Sequence, residues 1–144
     1  MDTKEAAFLR QFIGKEVTGS PSPFMNWLRP VMLAVEDGSL EFEYTIRHEM
    51  TNPFGILHGG VMAAMIDDAV GATFIVQGEP VNHITINLAV DYFASSKEGD
   101  KVIAVTSVVK KGRQIANAQC ELWNADRTKL LARGYTNMLK IVAP

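Results

Sequence analysis

The chain has 144 residues, 47% of them hydrophobic and 21% charged, with a formal net charge of −2. That length fits one domain with a sizeable core, and the slightly acidic balance excludes a nucleic-acid binder that works through a basic face. The one cysteine, Cys120, rules out an internal disulfide and points to a reducing, cytoplasmic setting.

The opening residues, MDTKEAAFLRQFIGK, carry charges throughout and do not read as a signal peptide. Phe8, Leu9, Phe12 and Ile13 recur at helical spacing, which predicts a short amphipathic helix ended by Gly14. In the TGSPSPF stretch that follows, Pro21 and Pro23 predict a loop or extended segment. Residues 1–28 are thus expected as helix and loop, and about 31–141 as the core of a single domain over 1–144.

The segment RPVMLAVEDG runs into Asp37-Gly38, a strong hairpin signal. Beyond it Leu40, Phe42, Tyr44 and Ile46 alternate with Glu41, Glu43, Thr45 and Arg47, the period of a half-exposed antiparallel strand. From Val61 to Val76 nearly every residue is apolar. A helix apolar on all sides is a buried one, and this run is too short to span a bilayer. Four more strands are predicted, over Ile84–Phe93, Lys101–Val109, Gln114–Asn124 and Lys129–Ile141, divided by the turn-like SSKEGD, KKGR and NADRT. A long central helix among six antiparallel strands is most simply an α+β hot-dog arrangement, the sheet wrapped around the helix. One helix cannot cover so large a sheet, so dimerisation is expected to complete the enclosure.

The chemistry concentrates in NPFGILHGGVMAAMIDDAV, residues 52–70. Asp67 and Asp68 stand side by side inside the apolar helix, although Asp is a poor helix former and a buried unpaired carboxylate costs several kcal/mol. Carboxylates in low dielectric are candidates for catalysis. Just ahead, the amides of Gly59 and Gly60 fall in the first helical turn, where N–H groups lack internal partners. Such amides can hold an oxygen that becomes negative during reaction.

The motif N-P-x-G-x-L-H-G-G, followed by an apolar helix with an acid nine positions after the histidine, resembles the hot-dog acyl-CoA thioesterases, in particular their PaaI-like (phenylacetate-degradation) branch. The resemblance runs from about Leu40 to Ile141. It implies Asp67 as nucleophile or general base, the Gly59 amide as oxyanion donor, Asn52 as a group that places water or substrate, and His58 as one that orients the loop. Thr85 falls where many relatives hold the water through Ser or Thr. The resemblance also implies that Tyr92, Ser95, Ser96 and Lys97, and the turn Lys110, Lys111, Gly112 and Arg113, contact coenzyme A. It implies a homodimer whose site joins the acid of one subunit to the loop of the other, often paired into a homotetramer. Coenzyme A enters as part of the substrate, and no metal or other cofactor is expected.

Other residues fit structural roles. His48 and His83 stand alone near strand ends, no metal-site spacing is present, and Cys120 in mid-strand reads as a small buried hydrophobe. Met62 and Met65 suit the core or an adaptable acyl pocket. Phe24 and Trp27 suit a pocket cover or a surface anchor. Two rival functions stay open on the sequence: a non-catalytic acyl-CoA-binding or sensing module, because fold does not fix function, and a hydratase or dehydratase. The G-H-F-P type of motif associated with the latter is absent.

Overall fold

Thr3 begins the first helix by a local trade of hydrogen bonds. Its Oγ1 accepts from the Ala6 amide at 3.0 Å and donates to the Val76 carbonyl at 2.6 Å, so one side chain caps a helix and ties it to the far end of another. In the computed structural model, which describes residues 3–78 and 81–142, the elements are α1 (Lys4–Arg10), α2 (Pro23–Leu28), β1 (Val31–Glu36), β2 (Ser39–Thr45), a 3-10 turn at His48–Met50, α3 (Gly59–Ile75), β3 (Val81–Tyr92), β4 (Lys101–Lys111), β5 (Ile115–Asn124) and β6 (Leu130–Val142). Residues 1–2, 79–80 and 143–144 of the expected domain lie outside the described residues.

The strands form one antiparallel sheet in the order β1-β2-β4-β5-β6-β3, with α3 packed against five of the six. This is the hot-dog fold. Alternation builds the inner face: Leu40, Phe42 and Tyr44 of β2, and Ala116, Ala118, Cys120 and Leu122 of β5, are all buried toward the helix. Small residues opposite α3 let it approach closely. At Gly134 on β6 a Cβ would fall 2.6 Å from Ile66 Cγ2, so only glycine admits the helix at that depth. Two buried threonines satisfy each other: Thr73 and Thr106 hydroxyls lie 2.7 Å apart, and Thr106 Oγ1 accepts from the Leu40 amide at 2.7 Å. Burial pushes the Cys120 thiol up, which keeps it protonated and inert.

One expectation needs correcting. The proline-rich stretch read as loop contains α2, a second short helix. Ser22 is its N-cap, accepting from the Met25 amide at 3.2 Å, and Pro23 occupies the first turn, where a missing N–H costs nothing. Arg47 holds the other end by donating to the Trp27 carbonyl at 2.6 Å, its guanidinium 4.9 Å from the Trp27 ring centre. Arg47 thus holds Trp27 at the surface, with the Phe24 ring centre 5.8 Å from that of Trp27. Among the described residues, no helix is long and apolar enough to cross a membrane.

Candidate active site

The loop ahead of α3 is built by Asn52. Its Oδ1 accepts from the Phe54 amide at 2.9 Å and, more weakly, from Ile56 at 3.4 Å, while Gly55 takes the left-handed backbone (φ 75°) that closes the turn. The side-chain NH₂ of Asn52 takes no part in that turn and keeps its donors for other use. His58 then caps α3: its Nδ1 accepts from the Gly60 amide at 2.8 Å. An accepting Nδ1 requires the neutral ring with its proton on Nε2. The cap thus consumes the Gly60 N–H and leaves that of Gly59, which has no acceptor among the described residues, as the open donor of the first turn. Tyr92 clasps this turn from the other side, its hydroxyl donating to the Gly59 carbonyl at 2.7 Å and its ring lying against the glycine, 3.4 Å from where a Cβ would sit.

Asp67 stands two turns further along α3, and Thr85 Oγ1 donates to its Oδ1 at 2.7 Å. A β-bulge makes this pair possible. Thr85 faces Met138 and Asn87 faces Asn137, so Ile86 is the extra residue of β3. Because of it, Thr85 and Leu88 both turn toward the helix, and Tyr92 can reach Gly59 from the same face. Within one chain the Gly59 amide and Asp67 are separated by eight helical residues, roughly 12 Å along the axis. A single copy therefore does not bring its acid and its open amide to one reacting carbon.

Asp67 opens onto a cavity of about 560 Å³ between α3 and the N-terminal segment. Asp68 also lines it, half-buried, with Oδ2 enclosed and unbonded among the described residues. Burial, reinforced by the neighbouring Asp67 charge, raises the Asp68 carboxyl to about 6. Burial first and the Asp68 charge second push the Tyr44 hydroxyl well above its ordinary range. His83, stacked on Phe74 with ring centres 4.6 Å apart, contributes to the cavity wall. The methionines there are Met25 and Met138, whereas Met62 and Met65 are buried in the core and do not line it. Phe24 and Trp27, read from the sequence as a pocket cover or a surface anchor, do not line this cavity; its N-terminal wall is made by Phe8, Leu9 and Met25, which that reading did not single out for it.

The remaining predicted residues divide into two groups at opposite ends of β3. Ser96 is buried, its hydroxyl donating to Asp100 Oδ2 at 3.2 Å and its carbonyl accepting from Leu57 at 2.8 Å. Lys97 donates its amide to the same Asp100 carboxylate at 3.1 Å and bridges Ile56, so the segment Tyr92–Lys97, with Ser95 in its middle, buttresses the Asn52–His58 loop. Lys110, Gly112 and Arg113 line a shallow basin of about 380 Å³ at the β4–β5 hairpin, beside Lys111. Gly112 is required there, since a Cβ would lie 2.5 Å from the Ile115 carbonyl oxygen. Ala116, Met138 and Thr85 share one row of the sheet, so the hairpin leaves β5 about 10 Å, two strand spacings, from Thr85.

Residues 54–131 match the family model described as the thioesterase superfamily. The chain belongs to that superfamily. As a member it falls among the thioester hydrolases. Human acyl-coenzyme A thioesterase 13 is 24% identical over 103 residues, 72% of this superfamily member and 74% of the relative. Among solved structures, the phenylacetic acid degradation-related protein of Ralstonia eutropha JMP134 is 25% identical with a TM-score of 0.79, covering 95% of this chain and 99% of that one. The PaaI protein of Escherichia coli, 18% identical, superposes with a TM-score of 0.80 over 96% of each chain, a likeness of fold. The PaaI-like branch fits this member of the superfamily.

Proposed function

We propose that the chain hydrolyses acyl-CoA thioesters to the free acid and coenzyme A, with Asp67 as the base and the Gly59 amide of a second copy as the oxyanion donor. The observation that carries this reading is the hydrogen-bonded Asp67–Thr85 pair at the mouth of a cavity, in a chain whose open helix-terminal amide lies too far from it to act in the same copy. Water held by Thr85 and Asp67 attacks the carbonyl carbon while Asp67 takes its proton. The carbonyl oxygen gains the charge and is met by the Gly59 N–H. The C–S bond then breaks, and coenzyme A leaves as a thiolate. One preorganised oxyanion donor contributes about 2.7–4 kcal/mol and general-base help about 10²–10⁴-fold, which suits an ester that is already activated. An alternative in which Asp67 attacks directly uses the same geometry.

The second copy is supported by β3. It is an edge strand of twelve residues, with Ile84 and Ile86 half exposed and Phe54 86% exposed on the neighbouring loop. A long exposed apolar edge is a template for pairing. Antiparallel pairing of β3 with itself about a two-fold axis sets the Thr85 end of each strand against the Tyr92 end of the other, which brings Asp67 toward the second Gly59. Pairing of such dimers into a tetramer is compatible with this edge contact. The basic hairpin Lys110–Arg113 would then receive the phosphates of coenzyme A. A cytoplasmic setting suits such a substrate.

The test is thiol release from a panel of acyl- and aryl-CoA esters by the wild-type protein and by Asp67→Asn. Turnover by the wild type that falls at least about 100-fold in the variant supports the assignment; near-wild-type turnover by Asp67→Asn refutes it. Binding of the esters without release by the wild type would favour a sensing module.

A further inference from the structure

Two consecutive peptide groups in the turn that opens α3 are held differently. The His58 carbonyl accepts from the Val61 amide at 3.0 Å and the Met62 amide at 3.1 Å, which sets one end of the 58–59 peptide in the helix. The other end of that peptide is the Gly59 N–H, the open donor. The next peptide, 59–60, is pinned on both sides. Its carbonyl accepts from the Tyr92 hydroxyl at 2.7 Å, and its N–H donates to His58 Nδ1 at 2.8 Å. Bonds linked through one peptide in this way polarise and strengthen one another. Gly59 is the swivel between the two peptides. Without a Cβ it accepts many backbone angles, so the Gly59-Gly60 pair by itself would leave the donor poorly aimed.

We propose that Tyr92 is a positioning residue: by holding the Gly59 carbonyl it locks the 59–60 peptide and so aims the Gly59 N–H at the reacting oxygen. The inference rests on the thioesterase reading and adds a residue to it. Aim matters because an oxyanion donor stabilises the developing charge only when it is in place beforehand. The Tyr92 hydroxyl donates its proton to this bond, and the ring lies 3.4 Å from where a Gly59 Cβ would sit. Thr85 stands earlier on the same strand, and the bulge in β3 lets both side chains reach α3. In the shared site proposed above, β3 thus steadies the base of its own copy through Thr85. Through Tyr92 it steadies the donor lent to the second copy. The tyrosine therefore acts on the site whose acid comes from the other chain.

Tyr92→Phe keeps the ring and removes only the hydroxyl. Losing an oxyanion donor outright costs about 10²–10³ in kcat, so a donor that is present but poorly aimed should lose about tenfold. KM for the same acyl-CoA should stay within about twofold. An unchanged kcat overturns the proposal, and so does a raised KM with kcat intact, which would make Tyr92 a substrate contact instead. Mixed dimers locate the effect. When Asp67→Asn chains are combined with Gly59→Pro chains, the intact site draws its Gly59 from the Asp67→Asn chain. Tyr92→Phe carried by that chain should lower the recovered activity about tenfold more than when the Gly59→Pro chain carries it; equal losses overturn the assignment. Amide hydrogen exchange at Gly60 supplies a readout independent of turnover. Freeing the 59–60 peptide in Tyr92→Phe should speed exchange there about fivefold, while the amides of Met65–Ala69 in mid-helix keep their rates. Unaltered exchange at Gly60 overturns the positioning role whatever the activity. If the wild type releases no thiol, the thioesterase reading fails by itself, and the exchange rates still decide whether Tyr92 holds the peptide.

Discussion

The Thr85 hydroxyl donates to Asp67 Oδ1 at 2.7 Å, joining the edge strand β3 to the middle of the buried helix α3. The bond points the carboxylate toward the cavity and leaves Oδ2 for another partner. Thr85→Val keeps the shape and removes the donor. A lost hydrogen bond of about 1 kcal/mol corresponds to roughly a fivefold to tenfold fall in kcat, with KM little changed. Steady-state thiol release measures it, and an unaltered kcat would remove Thr85 from the site.

The proposed sharing of the site between two copies makes a separate prediction. Gly59→Pro deletes the open amide while proline remains welcome at the first helical position. Asp67→Asn deletes the proposed base. Each variant alone should be nearly inactive. After the two are mixed and subunits exchange, about a quarter of the wild-type activity should return, since half of the dimers are mixed and each has one intact site. No recovery, with exchange verified by mass spectrometry of differently tagged chains, would place both groups in the same copy.

Asp68 gives the fold a pH signature. Its carboxyl is raised to about 6 in the folded chain, mainly by burial. Below pH 4 both folded and unfolded forms hold the proton, and no penalty exists. As pH climbs from about 4 to about 6 the unfolded chain ionises first, so stability is lost across that window and stays lost above it. The shift of about two pH units corresponds to about 2–3 kcal/mol. Asp68→Asn should therefore be the more stable protein at pH 8 and lose this advantage near pH 4, as followed by urea denaturation at both pH values. Equal midpoints at pH 8 would show that the carboxyl is better solvated than the structure indicates.

Lys110 and Arg113 line the basin at the β4–β5 hairpin. Reversing both, Lys110→Glu with Arg113→Glu, should raise KM for coenzyme A esters about tenfold, leave kcat nearly intact, and weaken the salt dependence of KM. An N-acetylcysteamine thioester, which lacks the phosphates, should be hydrolysed equally by variant and wild type. If KM for the coenzyme A ester does not move, the head group lies elsewhere, with Tyr92–Lys97 as the next candidate.

The strands were legible in the sequence because each keeps one side in the core, and alternation such as Leu40-Phe42-Tyr44 marks that side residue by residue. The buried helix was legible for the opposite reason, having no polar face at all. That same uniformity hid which way Asp67 and Asp68 point: an all-apolar helix carries no marker of orientation, and the two are distinguished by the Thr85 bond to Asp67 and by the enclosed Oδ2 of Asp68. Helix α2 was missed because Pro21 and Pro23 were weighed as breakers, whereas Ser22 and Pro23 together start a helix. The clasp of Tyr92 on Gly59 depends on the bulge at Ile86, which leaves no mark in composition or periodicity.

That bulge puts the two halves of β3 out of phase. Before Ile86, His83 and Thr85 look inward, and after it Leu88, Val90 and Tyr92 do. Deleting this one residue would restore a regular ladder and so turn either Thr85 or the tyrosine clasp to the outer face. Strand length here is thus a functional variable, and a one-residue indel should be far more damaging than most substitutions along the same strand.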